Sequence, residues 1–134
     1  MTGIDPVTGA EAQPVIVTLP AEIEIANADS IGVQLAAASG PGVPVVIADM
    51  TATTFCDTLG IRMLVLAHRR AASVGTELRL LLPCPNVLRV MNSLGVDAVL
   101  PIYLSLEQAL TGPRGTASET RGPPAPPAGR LLAR

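Results

Sequence analysis

The sequence has no tryptophan, one tyrosine, one phenylalanine and one histidine. Lysine is missing altogether, and all nine basic residues are arginine. Surfaces that bind nucleic acid combine a basic face with stacking aromatics. Between Val15 and Leu110 five arginines (Arg62, Arg69, Arg70, Arg79, Arg89) stand against eight acids, so the central region is net acidic. That balance argues against DNA or RNA as a partner. Two cysteines, Cys56 and Cys84, without a second pair or clustered histidines, make neither a disulfide framework nor a zinc site. No metal or cofactor is expected. The lone His68 has no nucleophile and acid arranged with it in any readable motif, so serine-hydrolase chemistry is unsupported. Long apolar runs are absent as well. Mean hydropathy is +0.46, yet proline, glycine or polar residues break each run well short of the ~20 residues a membrane helix needs. Direct membrane insertion is not expected. Met1 to Gln13 carries Asp5 and Glu11 with no basic residue or apolar stretch, so no secretory signal is readable and a cytoplasmic protein is expected.

What is present bounds one domain: 134 residues, 49% of them apolar and 15% charged, hold a single core. Both ends differ from the middle. Residues 1–13 are small and polar without periodicity, and 112–134 is a Pro/Arg-rich tail containing Pro123, Pro124, Pro126 and Pro127. Both read as disordered flanks around a domain at 14–111.

Within the domain, strand and helix periods alternate. Val15 to Leu19 is a β-branched run, and Ala21-Glu22-Ile23-Glu24-Ile25 alternates as a half-exposed strand or an extended lead-in. Asn27 or Asp29 is placed to cap a helix running through Ile31 and Leu35, stopped by Gly40-Pro41-Gly42. Val43 to Met50 has the continuous apolar character of a central strand covered on both faces. A helix follows from Ile61 to about Val74, then a strand from Glu77 to Leu82. Asn86 opens a short helix ending at Gly95, and Val99 to Tyr103 reads as an edge strand because of Pro101. Ser105 and Gln108 form a capping-box pair for a last helix. Strands alternating with helices give a mainly parallel, mixed α/β sheet of four to five strands with about four helices. Ligands and partners meet such folds at the carboxyl ends of the strands, which directs attention to the loop Thr51 to Gly60.

That loop reads Asp49-Met50-Thr51, then Phe55-Cys56-Asp57-Thr58-Leu59-Gly60-Ile61. It resembles the signature of STAS domains, in which a buried strand ends in Asp-Leu/Met-Ser/Thr and an Asp-Ser-Ser/Thr-Gly stretch leads into a helix. Leu19 to Ile25 is similar to the family's Leu-x-Gly-Glu-Ile-Asp, and the likeness runs from Val15 to Leu110. The family includes anti-sigma factor antagonists and the cytoplasmic tails of sulfate transporters. The resemblance implies an antagonist that binds a serine/threonine-kinase anti-sigma factor and is released on phosphorylation, with a serine/threonine phosphatase restoring the free form. It implies no enzymatic activity of the chain itself. Thr58 takes the phosphoacceptor position, and Asp57, Leu59, Gly60, Arg62, Glu22 and Thr54 are the implied partner contacts. The departure is Leu59, where the family carries a second hydroxyl.

Residue chemistry bears on the same position independently. A hydroxyl at a helix start faces unpaired amides and the positive end of the helix dipole, which stabilise an added phosphate. The competing readings are that Thr58 and Asp57 only cap the helix, or that the chain is an unphosphorylated STAS scaffold or transport-complex subunit. A phosphocysteine enzyme built on Cys56 is a weaker alternative, since Cys56 beside Phe55 reads as a small buried hydrophobe. Asp49 is expected to anchor the loop through Thr51 or Thr53 amides. Arginine-only basicity with abundant Ala, Gly and Pro suggests a bacterial gene of high GC content, and the size and apolarity are compatible with a homodimer.

Overall fold

The structure, a computed structural model, describes residues 13–112. The flanks expected to be disordered lie outside the described residues, apart from Gln13 and Gly112. In chain order the elements are β1 (Val15–Thr18), β2 (Glu22–Ile23), α1 (Ile25–Ala38), β3 (Val45–Asp49), β4 (Phe55–Cys56) and α2 (Thr58–Ser73). They continue as β5 (Glu77–Leu81), α3 (Pro85–Leu94), a 3-10 turn (Val96–Ala98), β6 (Ile102–Tyr103) and α4 (Leu106–Thr111).

Four strands form one sheet in the order β1-β3-β5-β6, and each of its ladders is parallel. The continuous apolar run at β3 finds its explanation here. It lies between β1 and β5, and Val45, Val46, Ile47 and Ala48 are all buried. Period-two alternation sorts its residues to two faces. Val46, Ala48, Leu78, Leu80 and Leu82 join Ile31 and Leu35 of α1, Ile61, Leu64 and Ala67 of α2, and Val87 and Met91 of α3 in the main core. Each fully buried Leu or Ile contributes about 1.5–3 kcal/mol. Val45, Ile47 and Leu81 point the other way, against Ala109 of α4 and Tyr103.

Arg79 lies on that second face, 1% exposed. Its Nη1 donates to the Ala109 carbonyl at 2.7 Å, its Nη2 to Glu77 Oε1 at 3.2 Å, and the guanidinium lies 5.4 Å from the centre of the Tyr103 ring. The last carbonyls of a helix have no partner within it. A buried cation therefore fastens the C-terminal end of α4 to the sheet, and the charge is itself compensated by Glu77 and the ring face.

Several boundaries differ from the sequence expectation, each for a local reason. Helix α1 begins at Ile25 with Glu24 as its N-cap, and Asn27 reaches back to accept from the Glu24 amide at 2.9 Å instead of opening the helix. Helix α2 begins at Thr58, and α3 begins at Pro85 with Cys84 as N-cap in place of Asn86, because proline suits the first helical position. The edge strand shortens to Ile102–Tyr103 since Gly95, at φ 75°, leads into the 3-10 turn. Ser105 caps α4 as expected, accepting from the Gln108 amide at 3.2 Å.

Arg79→Ala removes the buried donor to the Ala109 carbonyl and the cation beside Glu77. It is expected to cost about 3 kcal/mol of unfolding free energy in urea titration. Arg79→Met, which keeps the packing volume, is expected to lose less.

Candidate functional site

Two short strands set the site. β2 and β4 pair in parallel, Glu22 opposite Phe55 and Ile23 opposite Cys56, and each runs directly into a helix, β2 into α1 and β4 into α2. The Asp57 amide extends the ladder by donating to the Ile23 carbonyl at 3.0 Å. Glu24 and Asp57 are the N-caps of the two helices, so both helix N-termini emerge side by side. Phe55–Cys56, expected within the loop Thr51 to Gly60, is a strand here; two residues carry too little pattern to be read without their partner.

Asp57 serves both ends. Its Oδ1 accepts from the Gly60 amide of α2 at 2.8 Å, and its Oδ2 from the Ile25 amide of α1 at 3.3 Å. Asp57 therefore caps α2, as an acid at a helix start is expected to.

Thr58 is the first residue of α2 and is exposed. Its hydroxyl has no hydrogen bond among the described residues, so it is open to a reagent from solvent. Leu59 is 44% exposed and lies beside it. With Ile25, Ala28, Asp29, Arg62, Met63 and Leu66 it lines a groove of about 310 Å³ between α1 and α2. Arg62 is exposed on the wall of this groove. Glu22 is exposed on β2, and Thr54 is exposed in the loop just before β4, where its amide donates to Ala21 O at 2.8 Å. Thr58, Leu59 and Arg62 thus share the first turns of α2, while Glu22 and Thr54 stand beside one another at the adjoining strand pair. Asp49 holds the preceding turn, accepting from both the amide and the hydroxyl of Thr51.

Two apolar residues were not anticipated. Strand-like alternation places Ile23 and Ile25 on one buried face, and Ile23 is indeed 0% exposed. Ile25 is 70% exposed, because the helix begins there and turns its side chain outward. Phe55, on β4, is 48% exposed. The signal for the earlier start is the Glu24–Asn27 spacing, in which Glu24 is the N-cap and Asn27 at the third helical position closes a reciprocal capping box.

Beneath the surface, Gly60 and Cys56 are buried. A Cβ at Gly60 would lie 2.8 Å from Ile23 Cγ2, 2.9 Å from Cys56 Sγ and 3.1 Å from the Ile23 carbonyl. Glycine is what allows α2 to start against the strand pair. Burial, with a smaller contribution from the Asp57 charge, pushes the Cys56 thiol up to about 12. The thiolate is the nucleophile of cysteine chemistry, so Cys56 is held in its unreactive form. His68 is half-buried on α2, and desolvation lowers its pKa against a smaller opposing effect of Glu77. Among the described residues no group of three or more His, Cys, Asp or Glu could hold a metal ion. Likewise no described helix is long and apolar enough to cross a membrane.

Gly60→Ala is expected to destabilise the fold by about 2 kcal/mol through overpacking, read from urea denaturation. Cys56 is neutral in the fold up to about 12 but ionises near its ordinary value of 9.0 when unfolded. The native state therefore binds the extra proton, and this stabilisation is complete below pH 9 and lost as pH rises toward 12. Cys56→Ala should flatten that part of the stability-pH profile, after allowance for its cavity.

The comparisons agree with this architecture. A family model for the STAS domain matches residues 5–109. An anti-sigma factor antagonist from Mycobacterium paratuberculosis superposes with a TM-score of 0.59 at 23% identity, over 72% of this chain and 81% of that one. The anti-sigma factor antagonist SpoIIAA, in its unphosphorylated form, gives 0.57 at 19% identity, over 73% and 85%. The murine anion transporter solute carrier 26 family member A9, in its inward-facing state, gives 0.61 at 22% identity, over 72% of this chain and 17% of the transporter. No curated protein sequence matches at a significant level. At these identities the structural likeness is one of fold, and with the family match over most of its length the chain belongs to the STAS domain family.

Proposed function

We propose that this protein is an anti-sigma factor antagonist acting in the cytoplasm, with Thr58 as the phosphoacceptor that controls its affinity for a kinase-type anti-sigma factor. The observation that carries the reading is Thr58 itself: an exposed hydroxyl, unbonded among the described residues, at the first position of α2, beside a groove where Ile25, Leu59 and Leu66 lie with Asp29 and Arg62. The antagonists among its structural relatives support the choice of partner.

The chain is the substrate in this chemistry. Thr58 Oγ1 attacks the γ-phosphorus of ATP held by the kinase, forming the new O–P bond. The bond from that phosphorus to the β–γ bridging oxygen breaks, ADP leaves, and the hydroxyl proton passes to a base on the kinase. A metal-dependent serine/threonine phosphatase reverses the state by hydrolysis, releasing inorganic phosphate. The modification adds roughly -1.5 to -2 charges beside a groove that mixes the apolar Ile25, Leu59 and Leu66 with Asp29 and Arg62. A partner whose docking face buries Leu59 then loses affinity, because the phosphate must be desolvated or held away. The extra methyl of threonine slows attack relative to serine but gives the same phosphomonoester linkage, with the same added charge.

A second reading is favoured by Leu59. Replacing the family's second hydroxyl with a 44% exposed leucine makes this surface suited to permanent apolar contact, as in a scaffold or a transport-complex subunit. The two are separated by the modification state. Intact-mass and fragment analysis of the protein from its native cells, with and without phosphatase, is expected to find a phosphatase-sensitive phosphate on Thr58. Its absence across growth and stress conditions would transfer the assignment to the scaffold. With the cognate anti-sigma factor, Thr58→Ala is expected to bind as tightly as the unmodified protein and Thr58→Glu at least about tenfold more weakly. Equal affinities would sink the switch.

A further inference from the structure

The Asp57 carboxylate joins two helices that are otherwise connected only through the sheet and their side-chain packing. One oxygen holds the third residue of α2 at 2.8 Å, a partly buried contact three residues along the chain. The other holds the first residue of α1 at 3.3 Å, an exposed contact between positions 32 apart in sequence. The two arms are unequal. The Gly60 arm is short and local, and it is shielded. The Ile25 arm is long, faces water and depends on α1 keeping its place.

Thr58 adjoins this carboxylate in the chain and begins the same helix. A phosphate there seeks the amide donors at the start of α2, as anions do at helix N-termini. It also faces Asp57 as a like charge at close range. Two anionic groups adjoining in the chain then draw on the few amides that Asp57 alone holds in the unmodified protein. The contact to yield is the weaker one, from Asp57 to the Ile25 amide.

We propose that Asp57 is a positioning residue that couples the state of Thr58 to the first turn of α1: it holds the Ile25 amide when Thr58 is free, and a phosphate on Thr58 displaces that hold. This rests on Thr58 as the phosphoacceptor. Its consequence goes beyond repulsion by added charge. Ile25 is the most exposed large apolar residue on the α1 wall of the groove, facing Leu59 and Leu66 across it. Releasing its amide loosens that wall, so modification alters the shape of the docking surface as well as its charge. Signalling of this kind needs a contact with two arrangements that both ends bias, and the longer arm of Asp57 is such a contact.

The test needs no partner protein. Phosphothreonine is introduced at position 58 by genetic incorporation or semisynthesis, and amide-proton exchange with water is measured by NMR at Ile25 and Gly60. The expected result is an Ile25 amide exchanging about tenfold faster, as loss of a charge-assisted hydrogen bond implies, with Gly60 changed less than about twofold. Asp57→Asn separates the two arms without threatening the fold. Asparagine remains a good N-cap, but its side chain offers one acceptor oxygen and cannot hold both amides. That variant is expected to speed Ile25 exchange to the same extent without phosphate, and adding phosphothreonine to it should produce no further change. An unmoved Ile25 amide in the phosphorylated chain overturns the coupling. So does a phosphate effect that persists undiminished in Asp57→Asn. Phosphorylation that weakens partner binding while leaving Ile25 unmoved would refute the coupling and leave the phosphoswitch standing. An Ile25 response in the chemically phosphorylated chain supports the coupling even where native cells place no phosphate on Thr58.

Discussion

Two helix N-termini meet at one carboxylate, and the arrangement of the site depends on how Asp57 divides itself between them. Gly60 and Ile25 lie in different helices, and both amides would otherwise lack a protein acceptor, since the first amides of a helix have none within it. The parallel pairing of β2 with β4 makes this economy workable, because it delivers both chains to the same edge in register. Gly60 completes it by letting α2 approach Ile23 and Cys56 more closely than any side chain would permit. The exposed Thr58, the groove beside it and the buried thiol beneath it all take their positions from this junction.

The larger sheet supplies a rigid platform for it. Strand β3 is covered on both faces, and the main core ties β3 and β5 to α1, α2 and α3 through leucine, isoleucine and valine side chains. The opposite face relies on a smaller cluster and on Arg79, whose two terminal nitrogens reach a helix-end carbonyl and a carboxylate while the guanidinium lies over an aromatic face. Stability and the candidate function are thus separated in space. The residues that hold α4 lie across the sheet from those that surround Thr58.

The same fold is carried by antagonist proteins and by part of a membrane transporter, so architecture alone does not assign a role. What distinguishes this chain is the surface at the start of α2. A threonine hydroxyl open to solvent suits a modification switch, and Leu59, where the STAS pattern carries a second hydroxyl, adds an apolar contact with Ile25 to a groove that also holds Asp29 and Arg62. A partner recognising this surface gains from hydrophobic burial, which makes its affinity sensitive to a charge placed at the rim.

Much of the fold was legible because its determinants are local. Apolar runs with strand or helix periods, proline and glycine stops, and a capping serine at Ser105 depend on neighbours a few residues away. The hydroxyl following an acid at the mouth of a helix was legible for the same reason, as was the inert character of Cys56. Element starts were less so, as α1, α2 and α3 each begin earlier than their apolar patterns suggest. The sequence by itself determined the alternating α/β order and the central strand, since these follow from side-chain period and short-range hydrogen bonding, while the candidate position Thr58 comes from the resemblance of its loop to the STAS signature. Only the tertiary structure decided that Ile25 faces solvent, that Arg79 is buried, and that Asp57 spans two helices. Each depends on groups brought together by sheet register and packing, and the pattern of neighbouring residues carries no record of contacts made 30 or 32 positions away.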